Sequence, residues 1–269
     1  EAFLAGGDPA PDVRTVVAAS WLRSSAAGVD PERHLAPVVL DQGDLVDYRS
    51  AHVLSTVFPL LYDVLGRAAV DCDAVMAVGD ADGQLLWVCG SPSVMRIAES
   101  INFVEGSSWT ETAAGTNAPG MALHLDAPVA VHGGEHFSRL VHPWSCAAAP
   151  IHDPISRRIL GIVDITGGDA VATPQSLAMI QAAARMAESE LARLAATATL
   201  HTLAGSTPMP YAVSAPLRAT ALGLPEAVLE VDGRSLRVSR RHSEILVALT
   251  RHPQGATAEQ LEVDVYPDG

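Results

Sequence analysis

A chain of 269 residues with 48% apolar side chains and a mean hydropathy of +0.21 can bury one large core or two modest ones, and is no disordered chain. Its net charge of −14, with no lysine among the basic residues, excludes a broadly basic nucleic-acid surface. No apolar run approaches the roughly 20 residues of a membrane span, and three scattered cysteines (Cys72, Cys89, Cys146) form no disulfide framework, so a reducing cytoplasm and no membrane partner are expected.

In chain order, Val13, Val16, Val17, Ser20, Trp21 and Ser24 recur at three- and four-residue spacings and predict an amphipathic helix over 11–31, stopped by Gly28 and Pro31. A longer helix is predicted over Asp44–Val70, kinked at Pro59. The period then shortens to two. Asp73–Val78 and Leu85–Cys89 read as strands joined by a Gly/Asp-rich turn at 79–83. A short helix follows over Ser93–Ser100, and Ser108-Trp109-Thr110-Glu111 has the form of a capping box opening a helix over 112–125, bent near Pro119–Gly120.

Pro128–Val131 is the next predicted strand, Gly133–Gly134 a turn, and Glu135–Val141 one or two helical turns. Ser145–His152 and Arg158–Thr166 form a hairpin around Asp153–Pro154, and the run Ile159–Ile165 is apolar enough for a central strand. Over Thr173–Ala198 a long helix carries Leu177, Ile180, Ala184, Ala187, Leu191, Leu194 and Ala198 in a heptad seam, which suits a coiled-coil dimer or the domain's own sheet. Gly205–Pro216 reads as a linker. Beyond it, Leu229–Val238 predicts a hairpin around Asp232–Gly233, followed by a helix over Ser239–Arg251, a turn at 253–255, and a second helix capped by Thr257-Ala258-Glu259-Gln260.

Between Glu105 and Asp153 bulky aromatic, imidazole and thiol groups gather among glycines, as a lined cavity or a tightly turned core segment requires. His132, His136, His142 and Cys146 have the chemistry of metal ligands, but their spacing fits no compact ligand pattern, and Gly133–Gly134 denies His132 and His136 a shared helix face. Ser145, His136 and Glu135 could be drawn as a hydrolytic triad, yet adjacent residues do not act as base and orienter together, and no strand–turn–helix elbow holds the serine. Cys146 has no resolving partner. Neither an enzyme nor a metal or other cofactor is therefore expected.

The order of elements and several separated motifs resemble a known family. Ser20-Trp21-Leu22-Arg23-Ser24 with Gly28-Val29-Asp30-Pro31, Trp109-Thr110-Glu111 with Gly115-Thr116-Asn117, Glu135-His136-Phe137, and the segment Cys146–Ile151 resemble the GAF-domain sensor regions of acetoin-catabolism-type bacterial transcriptional regulators, over residues 11–200. The resemblance implies an α/β (α+β) fold with an antiparallel sheet flanked by helices, a small molecule bound between sheet and connecting helices, and a homodimer through the terminal helices. The ligand-lining residues expected on this footing are Phe103, Trp109, Glu111, Thr116, Asn117, His136, Phe137, His142, Trp144 and Cys146.

Many such regulators continue into a sigma-54-engaging ATPase, but no Gly-rich phosphate loop with lysine is present here. Instead, the C-terminal residues resemble the first half of a winged helix, with a recognition helix expected beyond Gly269 and arginines 234, 237, 240 and 241 either near DNA phosphates or on a solvated edge. Since the chain starts at Glu1 and stops inside that pattern, it is expected to be a piece of a longer protein. The expected layout is an N-terminal helical arm (1–40), a GAF-like sensor (41–200), a linker (201–223) and a truncated winged-helix segment (224–269). The expected function is small-molecule sensing coupled to DNA binding. Alternatives are a metal- or haem-dependent redox or gas sensor built on the His/Cys cluster, a GAF-type methionine sulfoxide reductase, or a bilin-binding, phytochrome-like sensor.

Overall fold

The computed structural model describes residues 13–32, 35–203, 218–221, 226–231, 234–252 and 256–265. The chain divides into two compact units, Glu1–Ala204 and Gly205–Gly269.

The first unit opens with α1 (Thr15–Ala26), α2 (Gln42–Ala51), a 3₁₀ turn (Val53–Thr56), α3 (Phe58–Leu61), a π turn (Tyr62–Gly66) and α4 (Arg67–Asp71). Then come β1 (Val75–Asp80), β2 (Leu85–Gly90), α5 (Pro92–Glu99), α6 (Glu111–Ala114), α7 (Ala118–Leu125), β3 (Val129–Val131), β4 (Ser145–His152), β5 (Ile159–Gly167) and α8 (Pro174–Leu203). The five strands form one sheet in the order β2-β1-β5-β4-β3, with every neighbouring pair antiparallel. This mixed helix-and-sheet architecture is the one expected from the sequence.

Both faces of the sheet are buried, which is why the central strands read as continuous apolar runs. Met76, Val78, Ala147, Ala149, Val163 and Ile165 point to one face, packed with Leu54, Leu61, Leu65 and Ile180. Val75, Ala77, Cys146, Ala148 and Ile162 point to the other, packed with Val17 of α1, Ala114 of α6, and Ala118, Met121 and Ala122 of α7. β1 and β5 approach closely where Gly79 and Gly161 meet; a Cβ on Gly161 would lie 2.0 Å from the Gly79 carbonyl oxygen.

Two predicted elements differ in detail. The helix expected over Asp44–Val70 is broken at His52, whose extended backbone and ring nitrogen cap the following turn at the Leu54 amide. Pro59 does not kink a helix but starts one, since its missing N–H is needed least in a first turn. The helix expected over 112–125 is two: Thr110, rather than Ser108, caps α6, and Gly115 at φ +77 ends it. Asn117 then caps α7 through the Gly120 amide, with Pro119 in the first turn.

Helix α8 lies along the sheet, chiefly over β4. Its heptad seam is largely consumed there: Ile180, Ala184, Ala187 and Leu191 are buried against the sheet, with Leu177 partly so. A helix crossing a flat, two-sided sheet needs the same apolar stripe as a coiled coil, so the sequence period alone did not separate the two.

The second unit contains a three-stranded antiparallel sheet, β6 (Arg218–Thr220), β7 (Val228–Val231) and β8 (Arg234–Arg237), followed by α9 (Arg240–Leu249) and α10 (Ala258–Val265). β6 falls within the stretch expected to be linker. Ser239 caps α9 at the His242 amide, and a reciprocal Thr257–Gln260 capping box opens α10. The linker expected over Gly205–Pro216 and the turns at 232–233 and 253–255 lie outside the described residues.

Candidate functional site

Asp164, on the central strand β5, organises the candidate site. Its side chain lies on the sheet face covered by α7, with Ala77 of β1 and Ala148 of β4 as its register partners. Asp164 is fully buried. Oδ2 accepts a hydrogen bond from the Thr166 hydroxyl at 2.7 Å, while Oδ1 has no hydrogen-bond partner among the described residues. Burial pushes the acid up to about 8, only partly opposed by the Thr166 bond, so it is mostly protonated at neutral pH.

From there a chain of polar atoms runs along the face. The Thr166 hydroxyl lies 3.1 Å from the Cys146 sulfur, which is 3.5 Å from His136 Nε2. His136 Nδ1 lies 2.9 Å from the Gly133 carbonyl oxygen. That carbonyl can only accept, so Nδ1 carries the proton and Nε2 presents its lone pair to the Cys146 thiol. Burial pulls the His136 imidazole down to about 4 despite the Gly133 bond. Burial also pushes the Cys146 thiol well up, with Asp164 adding to the effect. Acid, hydroxyl, thiol and imidazole are thus all neutral near pH 7.

The expected lining residues are found in several places. His136 and Cys146 meet in this relay. Phe103 and Trp109 pack edge to face at 4.9 Å, and the Trp109 indole N–H donates to Ser107. Phe137 lies over Gly115, and its amide donates to the Thr116 carbonyl. Trp144 is buried in the same apolar cluster. Asn117 serves as a helix cap, its amide also donating to the Gly115 carbonyl. His142 is only half-buried and engages the carbonyl of His136 from outside, 3.1 Å from its Nε2.

Glu111 and Thr116 belong to a second polar cluster, which docks α1. Arg23 forms two 2.7 Å bonds to the buried Glu111 carboxylate, and Ser20 donates to Glu111 while its oxygen lies 2.7 Å from the Thr116 hydroxyl, which can donate to it. Arg14 pairs with Glu135, and the Trp21 indole donates to the Glu135 carbonyl. The helix expected as part of an N-terminal arm is therefore bound to the sensor's connecting segments. Ser20, Arg23 and Ser24 lie in the signature motif, but only the tertiary contact reveals their partners.

Ser145 donates to Asp169 and accepts from the Gly133 amide, and Glu135 is committed to Arg14 and the His132 amide, so the drawn triad does not assemble. Among the described residues, no three of His, Cys, Asp and Glu converge as metal ligands. Asp164 and Thr166 were missed by sequence reasoning. The available signal was a single acid inside the apolar run Ile159–Ile165.

Sheet order and flanking helices are those of a GAF-like domain. Residues 1–189 match the MimR N-terminal domain family, and the chain belongs to that family. It is 44% identical over 93% of its length to an uncharacterized 47.3 kDa protein in the thcA 5′ region of Rhodococcus erythropolis, covering 55% of that protein. It is 41% identical to the acetoin dehydrogenase operon transcriptional activator AcoR of Bacillus subtilis, over 67% of this chain and 30% of AcoR. Against the propane 2-monooxygenase operon transcriptional activator MimR of Mycolicibacterium smegmatis it is 31% identical, over 71% and 32% of the two chains. The chain thus spans about half or less of the length of these relatives. Among solved structures, the E. coli DhaR(N)–DhaL complex superposes with a TM-score of 0.62 at 18% identity, covering 71% of this chain and 66% of that one, and shares the fold.

Proposed function

We propose that the first unit is the small-molecule-sensing domain of a bacterial transcriptional regulator and that the second is the first half of a winged-helix DNA-binding domain. The observation that carries the sensor reading is the polar relay from Asp164 to His136, buried beneath the connecting helices in an otherwise apolar face. A fold that needed only a core would gain from apolar side chains there. The regulatory reading is supported by relatives named as activators of the acetoin dehydrogenase and propane 2-monooxygenase operons. Such a regulator acts in the cytoplasm, where the DNA is.

In this reading the ligand contacts Cys146 and His136 directly, with Phe103, Trp109, Phe137 and Trp144 as apolar walls. Glu111, Thr116, Asn117 and His142 hold the connecting segments around it. A ligand that fits one arrangement of α6, α7 and α1 better than another shifts the population of that arrangement, and α8 carries the change to the C-terminal unit, most simply in a homodimer. The domain senses rather than catalyses: a neutral buried thiol and imidazole are a poor nucleophile and a poor base.

The test is DNA affinity of the full-length protein with and without acetoin, 2-propanol and propane-1,2-diol, alongside its oligomeric state by light scattering. A several-fold change in affinity with any of them supports coupling. Identical affinity throughout, or a monomer that binds DNA as well as any dimer, removes it.

A further inference from the structure

We propose that the first unit carries a second binding site, on the α8 side of the sheet, which takes a short-chain monocarboxylate between Arg157 and Arg185. The site is independent of the sensor reading and shares no residue with the relay from Asp164 to His136.

The first observation is a cavity. A space of about 170 Å³ lies between α8, the end of α7, the last residues of β4 and the turn that joins β4 to β5. That is room for a molecule of a few heavy atoms. Part of its wall is apolar, formed by Pro128, Pro150 and Ala184. Ala149 and Ala184 belong to the core between the sheet and α8, so the cavity lies on the face away from the connecting helices.

The rest of the wall is charged. His152 sits between Asp126 and Glu188, its Nε2 2.6 Å from the first carboxylate and its Nδ1 2.8 Å from the second. Carboxylate oxygens only accept, so the ring makes both bonds as an imidazolium. The Glu188 carboxylate also lies 3.7 Å from the Arg157 guanidinium. Two carboxylates thus meet one imidazolium and one guanidinium, and their charges cancel. Arg185 is left over. It is exposed, lines the same cavity, and its guanidinium has no hydrogen bond or ion pair among the described residues.

Charge and shape select the ligand class. Two acids against three cations leave one positive charge, which one negative charge balances. Guanidinium groups hold a carboxylate through paired N–H donors. A dianion would bring a second charge beside Asp126 and Glu188, and an amine would meet Arg157 and Arg185. A short alkyl tail covers the proline and alanine wall, which an inorganic anion would leave wet. So bound, the carboxylate ties the β4–β5 turn to α8.

The experiment follows the backbone amides of the whole 269-residue chain by NMR at about pH 6, below the ordinary histidine value. Propionate, acetate, inorganic phosphate and propionamide are each titrated to about 50 mM, ample for millimolar affinity. Expected are saturable shifts around His152 and Arg185 with propionate, weaker binding of acetate, and weaker still of phosphate and propionamide. Arg185→Gln and Arg157→Gln should each weaken propionate binding about tenfold. Arg96→Gln, an equal loss of charge on α5, should not. All three arginines are exposed, so the variants should fold, and their spectra verify it. No saturable shift, or equal affinity of wild type and both cavity variants, overturns the proposal. Equal weakening by Arg96→Gln reduces the effect to overall charge and overturns it too. Tighter binding of phosphate or propionamide overturns the ligand class. Shifts centred on His136 and Cys146 instead move propionate to the relay and overturn the second site; the sensor reading keeps its own test in DNA affinity.

Discussion

Replacing Asp164 with asparagine removes the ionisation of a buried carboxyl while preserving its size and its contact with Thr166. The acid is held at about 8 in the folded chain, against an ordinary 3.8. Between those values the folded state keeps a proton that the unfolded chain has released, so stability falls as pH rises through the window, and the loss is complete above its upper end. Each pH unit inside the window is worth about 1.4 kcal/mol, which accumulates to roughly 4 kcal/mol at pH 7. Rotation of the carboxyl or entry of a water returns part of that. His136 acts in the opposite direction, held at about 4 by burial and costing stability as pH falls below its ordinary value of 6.5. It is present in both proteins and cancels in the difference. With a few degrees of melting temperature per kcal/mol for a domain of this size, the Asp164→Asn variant is expected to melt with wild type near pH 4 and about 10 °C above it at pH 7. Calorimetric melts without ligand, from pH 4 to 8, measure the gap. A gap that does not widen with pH, or a wild type that is the more stable at pH 7, would refute the assignment of a protonated, buried Asp164.

Three other perturbations probe the packing around the site. Arg23→Met should destabilise the chain by about 2–3 kcal/mol in urea titrations, because it leaves the buried Glu111 carboxylate without its cation; adding Glu111→Gln should restore most of the loss. If the double variant is no better than the single, α1 is held by packing rather than by the pair. Gly161→Ala should lose the folded state or most of its stability, since the added methyl lands on the Gly79 carbonyl and Leu54; a normally melting variant would show that β1 and β5 can separate there. His152 bridges Asp126 and Glu188 at 2.6 and 2.8 Å, and although burial pulls its imidazole down, the two carboxylates raise it overall. This clamp between β4, the end of α7 and α8 is fully present below the ordinary histidine value of about 6.5 and lost as pH rises through the raised value, by roughly 0.5–1 kcal/mol. Hydrogen exchange around Glu188 should therefore quicken with pH, beyond the intrinsic rate, in wild type but not in His152→Ala; the same excess in both would remove the clamp.

Much of the architecture was legible in the chain because local physics set it. Short apolar runs marked the strands from Asp73 to Thr166, Gly/Asp and Asp-Pro turns marked the hairpins, and Ser, Thr and Asn marked helix starts to within a few residues. Two capping signals were ambiguous. Ser108 and Thr110 compete for one helix, and the extended Thr110 backbone, which lets its hydroxyl take the Ala113 amide, settled the matter. The site was half legible: His136 and Cys146 were singled out as unusual residues, whereas Asp164 and Thr166 were absorbed into an apolar run.

The set of elements, the two-sided burial of the central strands and the family could all be read in line, since they depend on neighbours three or four residues away and on contiguous motifs. Which polar groups meet could not. Cys146 and Thr166 are 20 residues apart and Ser20 and Glu111 are 91, and their pairing depends on strand register and helix docking. The role of the α8 stripe also waited for the folded chain, because the same apolar period serves a coiled coil or a sheet, and the choice falls to whichever surface is nearest. An unpaired buried oxygen is likewise no property of an aspartate; it exists only once every neighbour that could have satisfied it has been placed.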